Sequence, residues 1–457
     1  MSAPVRVVTL FLLSAACGGG SAARVVPPSQ PTPAGRPSGE PTAAPTDVAR
    51  IASLPTGGVA LPGVFTRYHV FLRATVGGAP ALLLFDSGAS ATILSPRLVR
   101  RLGLAYRGRH MAFGIGEPVT GASLYDGAEI GIGALRINPA TVLSWSDPTF
   151  PTYGATAPDG VIGYDLLRAF VVLVDVHGGR IVAFDTASPP RLSGRGSQEV
   201  PLRVTNGLPV VLVELFAGGA APTAAAASAS PLAVVVDFGA AAGLQLSRAA
   251  AERLGFPARL RETRVRQIVG IGGAVDLVEG ATDSVRIAGA AIPRALLAAD
   301  TSAVASVSFA DAEGFIGTEL LRRFTVTLDY ARGRAVFEPN VALRAPFCRN
   351  TAGVCVRTES GLRGAQVSYI DPGSPGARAG IQPGNVIIAI DGSSVAHLAA
   401  SDVDRLLDRG SGALLEIVRG AGQFRAHSRE PTPQRGAARR RVDTRERAGE
   451  LIRLPSP

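Results

Sequence analysis

Apolar and polar positions alternate along residues 70–76, with Val70, Leu72, Ala74 and Val76 on one side. Gly77 and Gly78 interrupt the pattern, and an apolar run returns over 81–85. Alternation broken at a Gly-Gly pair predicts a β-hairpin. The design recurs downstream, with strands expected over 209–216 and 232–236. Between them an Ala-rich, low-complexity insert, residues 217–230, predicts a loop. Helical periodicity in this part of the chain is brief, as at 164–168 and 318–323. Short strands with glycine turns predict a mainly β chain.

The pattern is also duplicated. Residues 160–180 align without gaps on residues 314–334, and 11 of the 21 positions are identical. Each copy begins with a hairpin whose second strand runs into an acidic residue, Asp86 or Asp237. A glycine-rich hairpin follows (Gly114, Ile115, Gly116; Gly270, Ile271, Gly272), then more strands and a closing pair. Self-similarity at this spacing means duplicated domains and not short solenoid units. The two lobes are expected at 59–192 and 198–340.

The flanking segments differ in composition. Residues 1–17 hold Arg6, an apolar run over 7–13, then Ser14, Ala15, Ala16 and Cys17. A basic start, a short apolar core and small residues predict an export signal. The run is too short for a spanning helix, which needs about 20 residues. Cys17 after small residues resembles the lipidation box of bacterial lipoproteins, whose Cys is lipidated and becomes the mature N-terminus. An ordinary signal with an incidental Cys is the alternative. Residues 18–58, rich in Pro, Ala and Gly, cannot bury a core and are expected to be a tether.

Composition narrows the chemistry. All 46 basic residues are Arg. The absence of Lys removes the P-loop, the Ser-Lys hydrolases and Schiff-base catalysis. The five His residues are isolated, and Cys17, Cys348 and Cys355 form no Cys-x-x-Cys, so no metal site is expected. There is no Gly-x-Ser-x-Gly and no complete G-x-G-x-x-G after a strand, and no cofactor is expected. Export leaves two readings for Cys348 and Cys355, a small-loop disulfide or two buried thiols. Spacing alone does not choose between them.

Asp86-Ser87-Gly88-Ala89-Ser90, preceded by an apolar strand, resembles the active-site loop of aspartic proteases. The elements Val161-Ile162-Gly163 and Phe315-Ile316-Gly317 are similar to that family's second signature. The resemblance covers residues 60–340, and the lobe size is nearer to bacterial retropepsin-like proteins than to pepsin. It implies two tandem acid-protease β-barrel lobes, each supplying one carboxylate to a shared site. Asp86 and Asp237 would then activate a water against a peptide bond. Ser87 would hydrogen-bond to the opposite loop, with Gly88 and Gly239 supporting the turns. The Gly-Ile-Gly hairpins would be flaps that close on a peptide. The second copy departs from the pattern, because Phe238 stands where Ser or Thr is usual. Gly163 and Gly317 are expected to be packing glycines beneath the site.

Residues 350–427 form a third module. Ser374-Pro375-Gly376-Ala377, Ala379-Gly380-Ile381, Pro383-Gly384-Asn385-Val386-Ile387 and Ile390-Asp391-Gly392 resemble the PDZ family. The resemblance implies a groove that takes a peptide by strand addition, beside a helix over 401–408 capped by Ser401. The carboxylate loop is expected at Gly361, Leu362, Arg363 and Gly364. Residues 428–457 are a basic tail, expected to be solvated and partly disordered. Nine Arg and four acids between Arg425 and Arg453 place five of the net +10 charges there.

Three functions remain open on the sequence. The first is an exported, lipid-anchored aspartic endopeptidase of the bacterial cell envelope, monomeric, acting on a protein or peptide substrate. Its PDZ domain would dock a peptide or regulate, and export argues against a nucleic-acid partner. The second is a catalytically dead peptide-binding protein, its chemistry ended by Phe238. The third is a homodimeric protease that pairs Asp86 with the Asp86 of a second chain.

Overall fold

The structure is a computed structural model. It describes residues 54–113, 119–145, 157–217, 230–301 and 312–419, except 56, 67, 191–193, 195, 271–272, 349, 351, 359–363, 399 and 408–412. Residues 7–9, 50–51 and 450–453 are also described. The chain divides into two units, with the main boundary between Ala345 and Pro346.

In the first lobe, β1 (Val70–Val76) and β2 (Ala79–Phe85) form the hairpin that the alternation predicts. Arg73 and Thr75 face outward while Leu72, Ala74 and Val76 are buried. β3 (Ile93–Leu94) leads into α1 (Pro96–Leu102). The Ser95 hydroxyl caps α1 by accepting from the Leu98 N–H, and Gly103 ends it in the left-handed region. β4 (Tyr106–Phe113) and β5 (Val119–Asp126) pair as the glycine-tipped hairpin. β6 (Gly160–Ile162) then inserts between β2 and β3, parallel to the first and antiparallel to the second. After α2 (Tyr164–Leu167), β7 (Val171–Asp175) and β8 (Arg180–Phe184) close the lobe.

The second lobe repeats this plan. β9 (Leu208–Phe216) pairs with β10 (Ser230–Val236), which starts two residues earlier than the sequence suggests. The loop insert lies almost wholly outside the described residues. β11 (Leu244–Leu246) precedes α3 (Arg248–Leu254), capped by Ser247 and ended by Gly255. β12 (Arg261–Gly270) and β13 (Gly273–Ala281) are the second hairpin. β14 (Gly314–Ile316) lies parallel to β10 and antiparallel to β11. α4 (Thr318–Leu321), β15 (Phe324–Asp329) and β16 (Arg334–Pro339) follow.

The closing strands of both lobes share one six-stranded sheet. Its order is Gln198–Pro201, β16, β15, β7, β8, Val59–Ala60, so related strands sit about its centre. β7 and β15 pair antiparallel there, with Val172 opposite Leu328 and Val174 opposite Val326. The lobes are thus joined by backbone pairing and not only by a linker. Each has its own apolar cluster, around Phe71, Leu84, Ile93 and Val161 in one and Val210, Val235, Leu277 and Phe315 in the other. Arg323, fully buried, reaches from the end of α4 to the carbonyls of Ala342 and Leu343.

The second unit has a sheet in the order β17 (Val354–Arg357), β18 (Ala365–Ile370), β19 (Val386–Ile390), β20 (Leu414–Val418), β21 (Glu450–Arg453). The helix α5 (Ala400–Leu407) packs against β17, and Val354, Ile387, Val403, Leu407 and Ile417 share one core. Cys348 and Cys355 are joined as a disulfide. One expectation changes and two are refined. Ser401 lies inside the first turn of α5 and not before it. Residues 450–453 are a strand of the sheet, with Ile452 buried in its core, so the tail is not uniformly unstructured. Its mean composition hides one short apolar pair, Leu451-Ile452. Two short strands also fall in the expected leader and tether, Val7–Thr9 beside Met111–Phe113 and Arg50–Ile51 beside Ile137–Asn138. Open sheet edges offer such segments backbone partners.

Candidate active site

β2 ends at Phe85 and β10 at Val236, and the next residue of each is Asp. The Asp86 N–H donates to the Ile162 carbonyl at 3.1 Å, and the Asp237 N–H to the Ile316 carbonyl at 3.0 Å. The inserted strands β6 and β14 therefore fix the two loops in the same way. Both Asp residues are fully buried. Asp86 Oδ1 accepts from the Gly88 N–H at 2.8 Å. Asp237 Oδ1 accepts from Gly239 at 2.8 Å and Ala240 at 3.1 Å.

The loops meet face to face. A Cβ on Gly88 would stand 2.4 Å from Asp237 Cγ, and one on Gly239 would stand 2.3 Å from Asp86 Cγ. Each glycine is thus the floor on which the opposing carboxyl rests, and no side chain fits there. Asp86 Oδ2 and Asp237 Oδ2 have no donor from the rest of the described chain. Each carboxyl sits on the glycine of the other's loop, and one proton shared between them would supply the donor that both Oδ2 atoms lack.

Electrostatics favour that proton. Burial first, and then the charge of Asp237, hold Asp86 well above the usual carboxylate range. Burial pushes Asp237 up to about 7, against the backbone N–H groups that favour its anion. Like charges this close cannot both ionise readily, and the resulting titration belongs to the pair.

Ser87 ties the loops together. Its hydroxyl donates to the Val236 carbonyl at 2.7 Å and accepts from the Phe238 N–H at 3.1 Å. Phe238 offers no reciprocal hydroxyl. Its ring, fully buried, packs edge-on against Phe85 with centroids 5.7 Å apart. An apolar contact replaces half of a polar clasp. The Thr318 hydroxyl adds support by donating to the Phe238 carbonyl at 3.2 Å. The sequence reading missed Thr318, although its place just after Gly317 was the available signal. It also missed Tyr330, a buried phenol with no hydrogen-bond partner among the described residues, whose ring meets Tyr164 at 5.3 Å. Burial, then Tyr164 and Asp86, raise its pKa.

Gly163 and Gly317 pack beneath the loops. A Cβ on either would stand 2.5 Å from a carbonyl oxygen, Ala91 or Ala242. Gly114, Ile115, Gly116, Ile271 and Gly272 lie outside the described residues, while Gly270 ends β12 opposite Gly273. Cys17 is likewise outside. Among the described residues, no group of three His, Cys, Asp or Glu could hold a metal ion.

Most of the expected PDZ carboxylate loop lies outside what the structure describes. Gly361, Leu362 and Arg363 lie outside the described residues, in the connection between β17 and β18. Gly364 is buried against β19, where a Cβ would stand 2.3 Å from the Ile387 carbonyl oxygen. β17 is the edge strand and α5 packs on it, so the open edge beside the helix begins at Val354. Asp86 meets Asp237 of its own chain, the pairing that the single-chain reading requires and the homodimer reading does without.

Residues 72–166 match the sequence model of an aspartyl protease family, and residues 366–419 match that of a PDZ domain. No curated protein matches the chain in sequence. Solved structures similar to it include the aspartic proteinase from Irpex lacteus, at 13% identity and a TM-score of 0.38, covering 63% of this chain and 99% of that one. Basic 7S globulin from soybean aligns at 14% identity and a TM-score of 0.35, covering 61% and 94%. The fold is mainly β, and the chain carries a retropepsin-like aspartyl protease domain and, at its C-terminal side, a PDZ domain.

Proposed function

We propose that the protein is an aspartic endopeptidase in which Asp86 and Asp237 activate a water against a peptide bond. The observation that carries this reading is the mutual seating of the carboxyls, each on the glycine of the opposite loop. Asp237, with two backbone donors on Oδ1, is the better-stabilised anion and serves as the base. It takes a proton from the water as the water attacks the carbonyl carbon. Asp86 keeps the shared proton, polarises the carbonyl oxygen and later protonates the leaving amine. Both carboxyls then return to the state that shares one proton.

The residues at the N-terminus support export, with anchoring through a lipidated Cys17 at the bacterial envelope. The PDZ unit supports docking of a peptide or protein partner. Purified full-length protein, offered an unfolded polypeptide from acid to neutral pH, is expected to cleave it. Asp86→Asn and Asp237→Asn should each lower kcat by about a hundredfold or more. Full activity in either variant would overturn the dyad. The binding-protein reading has one favouring observation, the lost hydroxyl at Phe238. It requires peptide binding without turnover and indifferent to Asp86→Asn. The Phe238 ring turns into the core against Phe85, which favours the enzyme.

A further inference from the structure

The head of the PDZ edge strand is already occupied. Asn350, 1% exposed, places its carboxamide against both main-chain groups of Val354, the first residue of β17. Its Oδ1 accepts from the Val354 N–H at 3.2 Å, and its Nδ2 donates to the Val354 carbonyl at 2.8 Å. An oxygen and an N–H side by side are what the last residue of an added strand would present, its carboxylate to the N–H and its amide to the carbonyl. The same Nδ2 donates at 2.7 Å to Asp404 on α5. Asn350 therefore spans from strand to helix at the point where a terminal carboxylate would enter. Two further features hold it. The disulfide pins Cys348, two residues before it, to Cys355, the residue after Val354. The Gly353 N–H returns to the Asn350 carbonyl at 3.2 Å. Asp404 adds a second obstacle, because an arriving carboxylate would meet an anion.

We propose that this PDZ unit is closed to free C-termini by a cap of its own, with Asn350 in the place of the ligand's carboxylate and Asp404 guarding it. The proposal rests on the docking role given to this unit above. It confines docking to segments that bring no terminal carboxylate to Val354.

The test uses the full chain and short peptides ending in Val, Leu, Ile or Phe, each as the free acid and as the amide, read by fluorescence polarisation. Wild type should not distinguish acid from amide. Asn350→Ala combined with Asp404→Asn should bind the acids about tenfold or more tighter than the amides. Cys348→Ser with Cys355→Ser leaves both side chains in place but loosens the loop, and should give a smaller gain of the same sign. It carries the test if the first variant does not fold. A wild-type preference for free acids would overturn the cap while leaving docking intact. Equal binding of acid and amide by the variants would also overturn it. Absence of binding to any peptide in every form would remove the docking role, and the cap with it.

Discussion

Ser87 and Phe238 occupy the same place in their two loops and act in different ways. Ser87 makes two buried hydrogen bonds to the opposite loop, whereas Phe238 contributes ring packing. Removing the hydroxyl would leave the Val236 carbonyl and the Phe238 N–H without that partner in a buried site. Ser87→Ala should cost ~1–3 kcal/mol of stability. It should lower kcat more than it raises KM, because the loops hold the carboxyls and not the substrate. Urea titration and steady-state kinetics on one preparation check both halves. The carboxyls make a second prediction at this scale. A carboxyl with a raised folded pKa binds its proton more tightly in the folded state, and both are raised. Between about pH 4, where an unfolded carboxyl titrates, and the folded value, the folded state holds more protons. Stability contributed by the pair is therefore full below that window and is lost as pH rises through it. Asp237→Asn removes the charge, so it should melt above wild type at pH 7 and lose that advantage below pH 4. A variant less stable than wild type at neutral pH would contradict the shift. Activity should rise as pH approaches about 7, where Asp237 gives up its proton and becomes the base, and should fall only at higher pH, where Asp86 loses the shared proton.

At the level of elements, duplication was legible because the repeated residues stand in one register, from Gly160 and Gly314 onward. The Asp loops were legible for a related reason, since strand, Asp and Gly are adjacent in the chain. The pairing of β7 with β15 was not. Val172 and Leu328 are far apart in sequence, and an alternating strand does not encode which edge it will find. Asn350 was not legible, because it acts only through its position in space, whereas the glycine-containing loop at 360–364 stood out as a motif. Arg323 is a similar case. At a repeat position where the first lobe has Ala169, it serves the segment that leaves the second lobe. Its guanidinium bonds the carbonyls of Glu319, Ala342 and Leu343 and lies 3.5 Å from the Glu319 carboxylate. Arg323→Met keeps the volume but strands those oxygens and weakens the pairing of a buried anion. A loss of ~3–5 kcal/mol is expected in chemical denaturation. At temperatures well below the transition kcat should be unchanged, because no carboxyl of the dyad touches this network.

At the level of the whole molecule, the question is whether catalysis needs the PDZ unit. Each unit closes its own core. The clusters of the lobes are drawn from residues before Ala345, and that of the PDZ unit from Ala352 onward. The buried hold of Arg323 on the segment after β16 ends with the Ala345 carbonyl, so a chain stopped there keeps every contact described for the dyad. The shared six-stranded sheet is likewise complete without the later residues. A protein truncated after Ala345 should therefore cleave short peptides with kcat within roughly twofold of the full chain. If the PDZ unit serves to hold protein substrates, the truncation should raise KM for an unfolded protein and leave KM for short peptides alone. Comparing the two substrate classes on both chains separates delivery from chemistry. A collapse of kcat on short peptides would mean that the PDZ unit helps to build the site, and the division into an enzyme and a docking module would have to be abandoned.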